Sequence, residues 1–425
     1  MQITKTENSP TNVTLVISAG ADELEPIKKH VLSHFTDVKV PGFRAGKAPA
    51  HLIEKSVNQQ VFLDEFMEHA VNDLWRKAVE SQKLRPVGQP EINVKKFVPY
   101  TELEFETTQD MIGPISLPNY KTMKLAKPKV NVSAENVNNV LKDLQQRMAE
   151  RKEVARPARD GDEVVIDFAG KDAKGEPVAG ADGKDYPLVL GSKTFIPGFE
   201  ENVVGLKVGD SKEFDVTFPA DYQAAALQNQ KVIFSVTAKK ISELVPPKLD
   251  DDFASKVGPF KTLAELKADV KKQLTSEQEF QAEQAYQNEL IQKISAKAHV
   301  DVPESLITDQ IMRAEEEEKR NLAYRGQTWA EHLKAEGITE EVHRERQRPE
   351  AIERVKAGLV LSEISEVEGI DVSQEEIEER LKVLREQYSD PAMQAELNKP
   401  EARRDIANRI LTEKTIAKLT EYASK

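Results

Sequence analysis

The chain has 425 residues, 39% of them hydrophobic and 31% charged, which predicts about three domains with separate cores. It has no cysteine, which excludes disulfides, thiol catalysis and thiolate metal sites and fits a reducing cytoplasm. The net charge of −13 argues against a general nucleic-acid binder. No segment approaches the ~20 consecutive apolar residues of a membrane span, and the first residues do not resemble a secretory signal.

The first 112 residues mix strand and helix patterns. Residues 13–18 alternate apolar and polar side chains, and residues 91–94 and 103–107 are predicted as further strands. An apolar stripe at helical spacing predicts one amphipathic helix, with the members Leu63, Phe66, Met67, Ala70, Val71, Leu74 and Ala78. Together these patterns predict an α+β domain.

Within this domain lies the segment PGFRAGKAP, residues 41–49. Its glycines permit tight turning and its prolines stiffen both ends, so it predicts a loop tip that presents Phe43, Arg44 and Lys47. The surrounding residues 28–55 carry six Lys or Arg and two acids, a local charge of +4. From the residues alone, an ordinary solvated loop remains the alternative.

Residues 113–149 begin with a proline-bearing extended stretch and continue into a helix capped by Ser133. Residues 150–246 hold nine of the 19 glycines among short alternating runs, which predicts a compact antiparallel sheet with tight turns.

Residues 247–425 are rich in helix formers and contain only five glycines and six prolines, which predicts long solvent-exposed helices. Ser373 with Glu376 fits a capping box, and Glu315 with Lys319 fits an i,i+4 ion pair on an exposed face. The apolar stripes are narrow, so we expect the helices to pack in pairs that leave partly apolar grooves. A plain helical bundle is the alternative.

The central runs GDEVVIDFAG, LGSKTFIPGFEENVVGLKVGDSKEFDVTFPADY and VIFSVTAKKI resemble the FKBP-type peptidyl-prolyl isomerase family over about 85 residues. Such an enzyme lowers the ~18–20 kcal/mol rotation barrier by desolvating the amide in an apolar slot that fits the twisted bond best. The residues that match the family's pocket are Phe168, Tyr186, Phe195, Ile196, Phe199, Tyr222 and Phe234.

The resemblance implies roles for three of these residues. The Ile196 amide would anchor a substrate carbonyl, Phe199 would form the pocket floor, and Tyr222 would donate a hydroxyl. Phe214 and Phe218 are expected to be barrel core. Val178 and Ala179 stand where the family usually has an aromatic and an acidic residue, which implies a reduced catalytic rate.

The motif G-F-R-x-G-K-x-P in residues 42–49 matches the ribosome-docking signature of the bacterial trigger factor family, and the domain order and the run LDDDFASKVGPFKTLAELKADVKKQL match it too. This resemblance implies a multidomain α+β fold. Its parts would be an N-terminal α+β ribosome-binding domain (1–112), a linker with the first helix of the C-terminal domain (113–149), an FKBP-like antiparallel β-sheet domain (150–246) and an elongated all-α C-terminal domain with helical arms (247–425).

The resemblance also implies the function and the partners. It implies an ATP-independent cytoplasmic chaperone that docks on the large ribosomal subunit near the exit tunnel, holds nascent and unfolded polypeptides, and can form a homodimer off the ribosome. The implied docking residues, which would meet a ribosomal protein and ribosomal RNA phosphate, are Gly42, Phe43, Arg44, Gly46, Lys47 and Pro49. The candidate client-contacting residues, each with intramolecular core as the alternative, are Ile307, Ile311, Val360, Leu361, Ile364 and Val367.

Other functions receive less support. No G-x-x-x-x-G-K-[ST] loop occurs, so no nucleotide or other cofactor is expected, and no membrane partner either. His30 and His34 are four residues apart on a charged segment, where we expect solvated side chains and no metal site. The alternatives are an isomerase whose flanking domains only recruit substrate, and a structural or nucleic-acid-associated protein, against which the exposed glutamates count.

Overall fold

The computed structural model describes residues 1–43, 47–172, 175–220, 222, 227–388 and 390–424, with the backbone alone at residue 179. The chain divides into two compact units. The first comprises Met1–Ala126, Gln287–Asn321 and Glu341–Lys425, and the second comprises Lys127–Tyr286 and Leu322–Glu340. Among the described residues, no helix combines the length and apolar composition needed to cross a bilayer.

The first unit begins with an antiparallel sheet in the order β1-β2-β4-β3, with helices packed against it. The elements are β1 (Gln2–Ser9), β2 (Asn12–Gly20), α1 (Ala21–His34), α2 (Ala50–Ser56), α3 (Gln59–Ser81), β3 (Pro86–Val98) and β4 (Glu102–Met111). Alternate residues of β2 and β4 are buried against α1 and α3, as the period-2 pattern predicts. The predicted α3 helix and the strands at residues 13–18, 91–94 and 103–107 are confirmed.

Strand β1 has no counterpart among the predicted strands. It pairs with β2 at the edge of the sheet and leaves nearly all its side chains exposed. An edge strand without a buried face carries no alternating apolar signal, so the sequence pattern does not reveal it.

The second unit holds the predicted antiparallel sheet, in the order β5-β9-β6-β7 with β8 paired to β9. Its elements are β5 (Glu150–Glu153), β6 (Asp162–Lys171), β7 (Pro177–Val189), α5 (Phe199–Val203), β8 (Ser211–Thr217) and β9 (Lys231–Val245). In the same unit, α4 (Ala134–Arg147) packs against α6 (Asp251–Val257) and the start of α7 (Leu263–Lys297). Ser133 caps α4, because its hydroxyl accepts a hydrogen bond from the Asn136 amide.

The remaining helices are α8 (Glu304–Tyr324), α9 (Trp329–Glu336), α10 (Glu340–Glu368), α11 (Gln374–Gln387), α12 (Pro391–Leu397) and α13 (Pro400–Ser424). In the first unit α8 packs on α10, and α11 packs on α13, each through a small apolar core. The capping box at Ser373 and Glu376 is confirmed.

The prediction that Glu315 lies on an exposed face is wrong. Its side chain is only 4% exposed and binds Lys319 of its own helix at 2.6 Å and Arg344 of α10 at 2.7 Å. The i,i+4 spacing identifies the partner within α8, but it contains no information about the neighbouring helix that covers the pair.

Candidate functional site

The sheet of the second unit surrounds a cavity of about 360 Å³. Phe168 reaches it from β6 and Phe234 from β9, and the turn before α5 supplies Phe195 and Ile196. The other lining residues are Gly180, Ala181, Thr194, Pro197, Phe218, Pro219 and Tyr222. The cavity is predominantly aromatic and aliphatic, which suits a proline ring better than a charged ligand.

The floor and one side of this cavity are formed by aromatic rings in mutual contact. Phe199 is fully buried, and its ring centroid lies 4.4 Å from that of Phe195 and 5.2 Å from that of Phe234. Tyr186 on β7 contacts Phe168 and Phe195 through ring edges and is 42% exposed. Of the seven residues predicted for the pocket, five line the cavity, Phe199 lies beneath it and Tyr186 lies beside it.

The Glu200 carboxylate holds the loop that carries Phe195. It is buried and accepts hydrogen bonds from the amides of Gly191, Lys193, Thr194 and Phe195 at 2.8–3.3 Å. Charge-assisted hydrogen bonds of this kind are stronger than neutral ones and fix backbone geometry. The side-chain pattern of the sequence does not reveal this role, although Glu200 stands within the I-P-G-F-E element.

Two differences from the expected pocket are visible. Phe214 belongs to the core as predicted, but Phe218 both belongs to the core and lines the cavity. Val178 and Ala179 are the two positions that differ from the family pattern. Val178 packs against the core, while the Ala179 side chain lies outside the described residues. The neighbouring Gly180 and Ala181 line the cavity, so this wall is built from small residues.

The PGFRAGKAP segment begins with a turn. Val40 is buried in the core of the first sheet domain, its carbonyl accepts from the Phe43 amide, and Gly42 has a φ of +87°. That left-handed conformation is one that glycine adopts without a Cβ clash. Phe43 is 44% exposed, so its ring is available to an external partner.

The last residues of this segment return to the same core. Ala48 packs against it, Pro49 is the N-cap of α2, and Lys47 is exposed. Both ends of the loop are therefore attached to the domain core. Arg44 and Gly46, two of the predicted docking residues, lie outside the described residues.

Part of the local positive charge is neutralised within the domain. Lys28 lies 2.8 Å from Glu54 and over the Tyr100 ring, and Lys29 lies 3.6 Å from Glu25. The cations of the loop itself are therefore more relevant to an external partner than the whole-segment charge of +4 implies.

The predicted client-contacting residues are largely inaccessible. Five of them are at most 9% exposed and lie on buried faces of the helices: Ile307, Ile311, Val360, Leu361 and Ile364. Only Val367, at 60%, presents its side chain to solvent. We therefore correct this set: an apolar stripe on a helix has the same spacing whether it lines a groove or packs against a neighbouring helix.

Comparisons with known proteins cover the whole chain. Family models match residues 1–144 (bacterial trigger factor protein), 154–239 (FKBP-type peptidyl-prolyl cis-trans isomerase) and 262–421 (bacterial trigger factor protein C-terminus). The trigger factor of Carboxydothermus hydrogenoformans is 36% identical over 429 residues, covering 100% of this chain and 99% of the relative. That of Caldicellulosiruptor bescii is 36% identical, covering 91% and 88% respectively. The chain therefore belongs to the trigger factor family, and its central module is an FKBP-type peptidyl-prolyl isomerase.

Proposed function

We propose that this protein is an ATP-independent cytoplasmic chaperone that docks on the large ribosomal subunit near the exit tunnel and holds nascent and unfolded polypeptides. Its isomerase module acts on prolyl bonds of the same clients. The observation that carries this proposal is the loop of residues 41–49, which joins the domain core at both ends and presents Phe43 to solvent.

The loop suits docking on a surface that is both apolar and anionic. Phe43 would enter an apolar niche on a ribosomal protein, and Lys47 and Arg44 would meet phosphate or acidic groups beside it. Phosphate contacts of this kind position a protein without reading sequence and weaken as salt rises. Anchoring at both ends lowers the entropy that the loop loses on binding.

The aromatic cavity supports isomerisation without a nucleophile or a metal. A proline ring that fills the space among Phe168, Phe195 and Phe234 loses its water, which weakens the resonance that keeps the amide planar. The Ile196 amide would hold the carbonyl on one side of the bond, and Tyr222 offers a hydroxyl. Small residues in place of the family's aromatic and acidic pair leave that wall open, which suits broad substrate choice at a reduced rate.

Client binding outside the cavity requires exposed apolar side chains, and the helical segments supply several. Phe280 on α7 is 67% exposed and Tyr324 at the end of α8 is 91% exposed. Met312 and Val367 are also largely exposed. Single contacts of this kind are weak, so binding would exchange quickly and client folding would supply release. The proposal includes a homodimer off the ribosome.

The alternative is an isomerase whose other domains only recruit substrate, and a pocket variant separates the two functions. Phe199→Ala is unsuitable, because removing a fully buried ring costs about 3–5 kcal/mol and endangers the module's fold. Phe195→Ala removes a half-buried ring that lines the cavity. We expect it to lower prolyl isomerisation of a tetrapeptide at least tenfold while leaving suppression of aggregation of a proline-free client unchanged.

The matched control is Phe280→Ala, which removes an exposed ring from α7. It should leave isomerisation unchanged and weaken aggregation suppression. Loss of both activities together in Phe195→Ala, with the module still folded by circular dichroism, would support the enzyme-only alternative.

A further inference from the structure

Three histidines and a glutamate form a cluster between two helices of the N-terminal domain. His30 and His34 belong to the last turns of α1, and Glu65 and His69 belong to α3. Each pair is separated by four residues and so projects from one face of its helix. Packing of α1 against α3 brings the two faces together. The separate sequence positions do not reveal this relation, and it changes the expectation of solvated side chains without a metal that rests on His30 and His34 alone.

The distances within this cluster are short. The Nδ1 atom of His34 lies 2.6 Å from a carboxylate oxygen of Glu65. One ligand atom each of His34, Glu65 and His69 lies within 4.8 Å of the others. The His30 ring centroid is 4.9 Å from that of His34 and 5.7 Å from that of His69.

We propose that His34, Glu65 and His69, with His30 as the fourth ligand, bind a divalent transition-metal ion of the Zn²⁺ class. Imidazole nitrogen and carboxylate oxygen both occur as Zn²⁺ ligands in proteins, and three neutral imidazoles with one carboxylate leave a net charge of +1 on the complex. Zn–N bonds of ~2.0–2.1 Å place neighbouring ligand atoms about 3.3 Å apart in a tetrahedron.

The ligand atoms of His34, Glu65 and His69 lie within 4.8 Å of one another, so small side-chain movements bring these three to an ion, and the exposed His30 side chain must turn toward it. His34 and His30 are exposed, and Glu65 and His69 are partly exposed. Rotation about their side-chain bonds can therefore move the ligand atoms by about an ångström without displacing core residues. Each of the two facing helices supplies one i,i+4 pair of ligands, and the packing of the helices already holds the two pairs close together. The ion would tie the last turns of α1, from which the chain runs into residues 35–49, to α3.

The test uses the tag-free full-length chain, freed of metal with a chelator and titrated with Zn²⁺ alone. Bound zinc per chain is measured after desalting, and affinity is measured by calorimetry. The variants are His34→Gln and His69→Gln, and the matched control is His51→Gln, which removes an exposed imidazole from α2. Bound zinc per chain is compared between each variant and the control, so a zinc ion held elsewhere on the chain does not affect the comparison.

We expect His34→Gln and His69→Gln each to hold one equivalent fewer than wild type, and His51→Gln to equal wild type. Hydrogen exchange at the C-terminal end of α1 should slow on zinc addition in the wild type and not in His69→Gln. Equal zinc content in all four proteins, or an equal loss in His51→Gln, would overturn the proposal.

Discussion

At the scale of single residues, Glu200 binds the backbone of the loop that carries Phe195 into the isomerase cavity. Glu200→Gln keeps the size but replaces one accepting oxygen and the charge, so the loop of residues 191–195 loses several charge-assisted hydrogen bonds. Each such bond is worth about 1.5–3 kcal/mol. We expect kcat/KM for a prolyl peptide to fall roughly tenfold, which corresponds to about 1.4 kcal/mol.

Glu201→Gln is the control, because Glu201 follows directly in α5 and is exposed. It should leave kcat/KM within twofold of wild type. If both variants retain full activity, Glu200 does not position the cavity.

Residue identities in the pocket were predictable, whereas the supporting residues were not. Family resemblance identifies Phe168 and Phe195 by sequence position. Glu200 binds backbone amides, and because almost every residue has one, the sequence of side chains does not show which amides are bound. Likewise, Glu65 and His69 lie more than thirty positions from His34, so only helix packing brings them together. The sequence leaves Ile307 and Ile364 open between a client surface and the core, because core and groove residues share one helical spacing, and both are buried.

At the scale of secondary structure elements, Glu315 connects α8 to α10. The hydrogen bond from Arg344, together with that from Lys319, lowers the pKa of Glu315 to about 2 from an ordinary value of 4.5. A lowered pKa in the folded state stabilises the protein above pH 4.5, and this stabilisation is lost as the pH falls toward 2. The loss amounts to about 3 kcal/mol when complete.

We therefore predict that Glu315→Gln lowers the free energy of unfolding at pH 7 and flattens its decline between pH 4.5 and pH 2. Urea unfolding followed by far-ultraviolet circular dichroism measures both. Glu316→Gln is the control, since Glu316 is exposed and 3.6 Å from Lys319. An unchanged pH profile in Glu315→Gln would contradict the role assigned to this pair.

Helix and strand positions were predictable where the sequence carries a local signal. The Ser373 cap and the α3 stripe are examples, because capping and periodicity depend on residues three or four positions apart. Partners between helices were not predictable, because the Arg344 that binds Glu315 stands 29 positions away.

At the scale of the whole molecule, contacts within the first unit join the N-terminal domain and the linker to the C-terminal helices. Arg85 lies 2.8 Å from Glu363 of α10, and Asp110 accepts a hydrogen bond from the Ser305 amide in the first turn of α8. Glu368 accepts from the hydroxyls of Tyr120 and Tyr422 and lies 2.8 Å from Lys121.

The Glu368 network holds the extended linker in place. Hydrogen bonds from Lys121, Tyr120 and Tyr422 lower the pKa of Glu368 to about 2. Glu368→Gln should therefore speed tryptic cleavage after Lys121 and Lys124 about tenfold, because losing one charged hydrogen bond raises local opening by that order. Glu379→Gln, an exposed change on α11, should not. Equal cleavage of both variants would show that the network does not restrain the linker.

The net charge of −13 is an average over unlike parts of the molecule. Net charge opposes self-association, so we expect the acidic excess on the helices to limit aggregation through exposed apolar side chains such as Phe280 and Tyr324. The loop of residues 41–49 carries two cations and no acid. A whole-chain charge therefore does not predict the behaviour of this loop toward an anionic partner.

The central claim is docking through this loop, and ribosome co-sedimentation tests it most directly. We compare wild type with Phe43→Ala/Arg44→Ala/Lys47→Ala and with Lys271→Ala/Lys272→Ala, a control that removes two exposed cations from α7. Wild type and control should co-sediment equally, with binding that weakens as salt rises. The triple variant should bind at least tenfold more weakly, and its log–log salt dependence should be shallower by about one unit for each phosphate that it no longer neutralises. Undiminished co-sedimentation of the triple variant would contradict the account.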